Sequence, residues 1–297
     1  MPTRKESLAL IAAALALPQC SGGSGRGPAS AVRVGSKNFT EDITIAEIYA
    51  AALENAKIPV ERHMNLGSTQ IAMAALQRGD IDLYPEYTGT ALIDVLHMPP
   101  MRTRPQIYGT VKQAFEKRFN LTLLTPSPMN DSQGLCVSQA VAQKYNLRTL
   151  SQCAKLAPQL RLATIAEFLT RADALPGLQQ FYGGFHFSSA RTYEIGLQYE
   201  ALLRGDADVA TAFTTDSQIG TDNLLVLQDD RHFWPEYNVA PVARMSSLKT
   251  HPQIAAVLNR VSPLLTDSVV RQLNYQVNVQ HTDPADAAQQ FLKEHAV

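Results

Sequence analysis

From Val32 onward, short apolar runs alternate with longer segments whose apolar residues recur every three to four positions. "VRVGS" (32–36) predicts a strand. "EDITIAEIYAAALENA" (41–56) predicts a helix presenting Ile45, Ile48, Tyr49, Ala52 and Leu53 on one face. A second strand is expected over "VERHMNL" (60–66), followed by a turn at 67–69. "QIAMAALQRG" (70–79) predicts a helix, with Gly79 suited to its C-terminus. "DIDLY" (80–84) is the third strand. It is expected to stop near Leu83, because Pro85 has no N–H to give to a ladder. Such βαβαβ alternation predicts an α/β sheet flanked by helices.

One phrase recurs. "ALQRGDIDLYPEYT" (75–88) aligns without gaps with "ALLRGDADVATAFT" (201–214), 126 residues later (75 to 201). Each contains a helix end, a glycine turn, an Asp-x-Asp step and a strand, so the Arg-Gly-Asp triplets read as helix-to-strand corners rather than adhesion motifs. The match predicts two lobes of similar architecture, with Phe213 standing where Tyr87 stands in the first. The extended stretch near 128–131 suits a crossover between lobes. "VLQDDRHFWPEYNVAPVAR" (226–244) suits the return, with Trp234 and Pro235 at a strand end. The tail (248–277) is helical in pattern and completes the first lobe. The expected organisation is therefore a discontinuous lobe I (31–130 and 234–297) and an inserted lobe II (131–233), joined by two strands that act as a hinge.

The 297 residues carry 26 basic and 27 acidic side chains, a balance that gives no hint of nucleic acid or of a strongly charged partner. Residues 1–20 read as a signal peptide, with Arg4 and Lys5 ahead of an apolar run too short to span a bilayer. Cys20 and the Gly/Ser-rich stretch 21–30 suggest a lipid anchor on a flexible tether. Pro18 and Gln19 are poor residues ahead of a lipidated cysteine, which leaves cleavage to a soluble exported form as the other reading. Export also permits a disulfide between Cys136 and Cys153, the alternative being two unrelated buried thiols.

Catalytic constellations are missing: there is no GxSxG elbow, HExxH pair, phosphate loop or GxGxxG turn, and the histidines lack metal-ligand spacing. No enzyme activity, metal or cofactor is expected. What remains are cations and rings near strand ends. Lys37, ahead of Asn38 and of a helix starting near Thr40, is placed for an anion. Arg171 stands beside a Pro-Gly loop, where pairing with Asp173 or Glu167 is the plainer reading. Tyr84, Tyr87, Phe213, Trp234 and Tyr237 jointly suggest an aromatic-lined cleft. A quaternary ammonium has no N–H to donate, so a protein holds it with π faces, worth about 0.5–2 kcal/mol per ring.

"VGSKNFTE", "GDIDLYPEYTGTA", "EFLTRADALPGL" and "HFWPEYNVAPV" together resemble the substrate-binding proteins of ABC importers for glycine betaine, choline, carnitine and related quaternary amines, from about Val32 to the end. The resemblance implies an α/β periplasmic-binding-protein fold of type II, two lobes closing on a solute. It implies that Lys37, Thr90 and Arg171 meet a carboxylate, and that Tyr87 and Tyr237 form part of an aromatic cage. Two positions depart from the family pattern: Gln133 and Phe213 stand where cage tyrosines are usual. Losing one or two rings lowers affinity by about 1–3 kcal/mol. Asp131, beside Gln133, offers a carboxylate suited instead to a cation with N–H donors. The expected protein is an exported monomer delivering a quaternary amine or zwitterion, a compatible solute like glycine betaine, to an ABC permease and its ATPase, touching the membrane only through an anchor at Cys20. A different amine is the other reading where the cage is incomplete. A sensory receptor for a solute is the alternative.

Overall fold

The computed structural model describes residues 31–296, so the leader, the tether and Cys20 lie outside the described residues. In chain order the strands are β1 (Val32–Gly35), β2 (Val60–His63), β3 (Leu83–Tyr87), β4 (Leu121–Leu123), β5 (Gln133–Val137), β6 (Arg161–Thr164), β7 (Ser189–Thr192), β8 (Val209–Phe213), β9 (Leu225–Val226) and β10 (Val239–Arg244). They form two five-stranded sheets, ordered β2-β1-β3-β10-β4 and β7-β6-β8-β5-β9. The two orders are superimposable. In each, three strands run parallel and a fourth lies antiparallel beside the third: β10 against β3, and β5 against β8. That fourth strand is in both cases the first one after the chain has crossed from the other sheet, which makes the architecture a two-lobed α/β fold.

The recurring phrase marks this symmetry residue by residue. β3 spans 83–87 and β8 spans 209–213, at the same offset as the sequence match. Asp82 accepts from the backbone N–H and guanidinium of Arg33, and Asp208 from those of Arg161, so each lobe ties its third strand to its first with the same bidentate clamp. Gly79, at φ +84°, ends helix α2 (Thr69–Arg78) in the left-handed region, as expected of a C-terminal glycine.

Three expectations need correction. β3 does not stop at Leu83 but runs through Pro85 to Tyr87. Pro85 faces Pro241 of β10 across the antiparallel ladder, a pairing in which neither residue is asked for an N–H, and β1 has already ended on the other side. Helix α1 (Thr40–Asn55) is buried on nearly every face rather than one, because the helices Gln253–Val261, Asp267–Asn278 and Pro284–Glu294 cover the side turned away from the sheet. Trp234 lies not at a strand end but in the loop between β9 and β10, packed against the cores of both lobes, with its indole N–H on the carbonyl of Asp173.

The disulfide is also excluded. Cys136 and Cys153 are free thiols. Side chains alternate along β5, so Cys136 points into the cluster containing Tyr199 while Leu135 and Val137 point into the opposite one, which holds Cys153. The sheet itself separates the two sulfurs. The segments around 131 and 237 are tied together where the Asp131 N–H donates to the Tyr237 carbonyl.

Candidate ligand-binding site

A cavity of about 130 Å³ opens between the lobes. Lobe I supplies the turn from β1 into α1 (Lys37, Asn38, Phe39, Glu41), the end of β3 and the turn after it (Tyr87, Thr90), and Asn274 from a C-terminal helix. Lobe II supplies Arg171, Tyr199, Phe213 and Asp216, while Asp131, Gln133 and Tyr237 stand at the crossings. Of the ligand-binding residues and rings expected from the sequence, all line this cavity except Trp234 and Tyr84, the latter buried in a lobe I core cluster with its hydroxyl on Glu86. Asn38 is the most exposed of them and lies at the rim.

Lys37 is buried, but its charge already has a partner. Its ammonium lies 2.9 Å from Glu86 Oε1 and 3.8 Å from Asp42, with Glu86 itself wholly buried. The same ammonium sits 4.5 Å from the centroid of the Tyr87 ring and 5.5 Å from that of Phe39. One face of the expected cage tyrosine is thus already occupied by a cation of the protein, and the Tyr87 hydroxyl donates to Glu41 at 2.6 Å.

Arg171 forms a bidentate pair with Asp173 at 2.8 and 2.6 Å, the plainer of its two readings. It also reaches across the cleft, donating to Thr90 Oγ1 at 3.3 Å. Burial works against its charge, but Asp173 outweighs that and holds the guanidinium firmly protonated. Tyr237 donates to Asp173 as well, and Gln133 donates to the Asp173 carbonyl and the Tyr237 hydroxyl. Gln133 thus braces this end of the cavity rather than presenting a π face. Gly89 makes the packing possible: a Cβ there would stand 2.6 Å from the Tyr237 ring.

The opposite end is acidic. Glu41, Asp131 and Asp216 arrive from α1, from the first crossing and from the turn after β8. Burial pushes all three carboxyls up, Asp216 to about 7, and repulsion from Glu41 adds to it at Asp131 and Asp216. Thr215 donates to Asp131, Tyr199 to Asp216, and Asn274 to Glu41. Reading the sequence missed Phe39, Glu41, Tyr199, Asp216 and Asn274. The first two lie inside the quoted "SKNFTE" motif. Asp216 stands three residues beyond Phe213. Tyr199 and Asn274 carry no local signal, since only the fold brings their helices to the cleft.

No group of His, Cys, Asp and Glu side chains that could hold a metal ion is present among the described residues. Nor is any helix among them long and apolar enough to cross a membrane. Comparison with known proteins agrees with the geometry. The chain is 34% identical over 261 residues to an ergothioneine transport permease/ergothioneine binding protein, EgtU, of Helicobacter pylori (strain G27), covering 88% of this chain and 47% of that protein. The chain thus spans about half the length of that relative. It is 30% identical over 293 residues to the carnitine transport binding protein OpuCC of Listeria monocytogenes serotype 1/2a (strain 10403S), covering 97% of this chain and 95% of that one. The crystal structure of a glycine betaine/carnitine/choline ABC transporter superposes with a TM-score of 0.73 at 31% identity, covering 89% of this chain and 98% of that chain. Two lobes of type II periplasmic-binding-protein form enclose a ring-lined, charged cleft, and residues 30–294 match the family described as the substrate binding domain of ABC-type glycine betaine transport systems: the chain belongs to that family, a transporter's binding component and not an enzyme.

Proposed function

We propose that this protein captures a small amine cation or zwitterion outside the cytoplasm and delivers it to an ABC permease by closing its lobes on the solute. The relatives named for carnitine, ergothioneine and glycine betaine support this class of compound. The observation that supports this reading most directly is the cleft itself. Rings from both lobes (Tyr87, Phe213, Tyr237) share one cavity with Arg171, the cation best placed for a ligand carboxylate, and with Thr90 across from it. Lys37 acts at one remove, holding Glu86 and steadying the Tyr87 ring.

Closure in this reading is a rotation about the crossings near residues 131 and 234, with 31–130 and 234–297 moving as lobe I and 131–233 as lobe II. Contacts spanning the cleft support it: Arg171 with Thr90, Tyr237 with Asp173, and Asn274 with the Thr215 carbonyl. Residues 1–20 would direct export, with Cys20 either lipidated or removed, and the binding protein would act as a monomer.

The test is calorimetric titration of the protein with glycine betaine, choline, carnitine, ectoine and proline, followed in parallel by the fluorescence of Trp234, the single tryptophan. Saturable binding of at least one amine in the micromolar range is expected, with a change in Trp234 emission as the lobes move. No binding of any of them up to about 10 mM, where the binding free energy falls below about 3 kcal/mol, overturns the reading.

A further inference from the structure

We propose that the acidic end of the cleft selects an amine whose cationic nitrogen still carries N–H donors, from a primary to a tertiary ammonium, over its fully methylated congener, and that Glu41, Asp131, Asp216 and Asn274 receive it. The inference rests on the reading that the cleft takes an amine, and it names which amines within that class.

The carboxylates alone do not carry the proposal; the state of their oxygens and of Asn274 does. Asn274 is 2% exposed and lines the cavity. Its amide nitrogen donates to Glu41 Oε2 and to the Thr215 carbonyl, which fixes the orientation of the side chain. Its Oδ1 then has no hydrogen-bond partner, although it is buried. A buried acceptor without a donor is costly. Of the side chains that hold such an atom among the described residues, Asn274 is the one that lines the cavity, where a ligand can supply a donor. Oδ2 of Asp131 and Oδ1 of Asp216 likewise receive no hydrogen bond from the described residues, whose donors go to the other oxygen of each carboxyl. None of the three carboxyls forms an ion pair with a basic side chain among the described residues; Lys37, the nearest cation in effect, is held on Glu86.

A trimethylammonium does not answer this arrangement. It has no N–H for the waiting acceptors, and would bury them against methyl groups. It also needs open π faces, and the Lys37 ammonium already covers one face of Tyr87. Of the two positions that depart from the family's cage, Gln133 presents no ring, and it is turned to the Asp173 carbonyl and the Tyr237 hydroxyl. An ammonium with one or more N–H bonds satisfies the acceptors and provides the counterion that the three carboxyls lack. The groups facing it are Glu41, Asp131 and Asp216, with the hydroxyls of Tyr87 and Tyr199 and the Lys37 ammonium behind. Because burial raises the carboxyls in the absence of a cation, binding displaces protons, and affinity rises with pH through the neutral range.

The test is isothermal titration of the full mature protein with two scaffold pairs, N,N-dimethylglycine against glycine betaine and N,N-dimethylethanolamine against choline. Titrations are run between about pH 6 and about pH 8 in two buffers of different ionisation enthalpy. In each pair the dimethyl compound is expected to bind about tenfold more tightly, with affinity rising with pH and a buffer-dependent heat reporting proton release. Asp131→Asn, checked for folding by circular dichroism, is expected to weaken the dimethyl ligands about tenfold and the trimethyl ligands about threefold at most, and Asp216→Asn to remove part of the proton release. Equal or tighter binding of the trimethyl member in both pairs overturns this inference and leaves the amine-binding function standing. Absence of binding by all four compounds overturns this inference, and joined to absence of binding by carnitine, ectoine and proline it overturns the amine-binding function as well.

Discussion

Substituting Lys37 separates two roles that its position allows. As a ligand anchor, its loss weakens carboxylate-bearing solutes selectively. As the counterion of Glu86, its loss strips a buried charge of its partner. The structure favours the second, since the pair lies at 2.9 Å with side chains only 4% and 0% exposed. Removing one partner of a buried ion pair costs about 3–5 kcal/mol. Glu86 keeps the Tyr84 hydroxyl and the Tyr87 N–H as donors, which places Lys37→Met near the lower end, about 3 kcal/mol. In a protein of this size that corresponds to a fall in Tm of about 6–12 °C. The double variant Lys37→Met/Glu86→Gln, which removes the charge that Lys37 chiefly balances and leaves only Asp42 without its cation, is expected to recover at least about half of the loss. Scanning fluorimetry reads the stability, and titration with N,N-dimethylglycine and N,N-dimethylethanolamine reads the anchor role, since only the first has a carboxylate. The reasoning fails if Lys37→Met melts with the unmodified protein while binding of the carboxylate-bearing compound alone is lost. It fails equally if the double variant is no more stable than the single one.

Further outcomes follow from the same geometry. Gly89→Ala drives a methyl to within 2.6 Å of the Tyr237 ring and is expected to destabilise by about 1–3 kcal/mol while weakening ligand binding, measured by denaturant melts and titration. Burial raises Asp42 and Asp216 to about 7, so between their ordinary range and neutrality the folded protein holds protons that the unfolded chain releases. Their contribution to stability is full in acid and is lost as pH rises through about 7; Asp216→Asn is accordingly expected to flatten the fall in Tm of the ligand-free protein over that range. Burial likewise pushes the Cys153 thiol up to about 12 and the Cys136 thiol higher still. Neither is expected to react with a thiol reagent while the protein is folded, and both to react without prior reduction once it is unfolded, which a titration in guanidinium counts directly.

Much of the architecture is written in local pattern. The strand and helix periods, Gly79 as a helix stop and the repeat at 75–88 and 201–214 are short-range features, and they led to the two lobes because each encodes an element that its own residues favour. The repeat went further, for Asp82 and Asp208 clamp equivalent arginines in the two sheets. Where reading by local rule failed, a distant partner was responsible. β3 passes through Pro85 because Pro241, far along the chain, faces it. α1 is buried all round because the C-terminal helices lie over it. Cys136 and Cys153 stay reduced because a sheet stands between them. The site divides in the same way. Side-chain type and motif placed Tyr87, Thr90, Asp131, Gln133, Arg171, Phe213 and Tyr237 around one cavity, since rings and charges at strand ends converge there in a fold of this kind. What each does there depends on neighbours that arrive from other segments: Glu86 takes the charge of Lys37, Asp173 takes that of Arg171, and Tyr199 and Asn274 complete an acidic wall with Glu41 and Asp216. Charge and hydrogen-bond balance is a property of the whole set of groups within a few ångströms of one another, and that set exists only once the chain has folded.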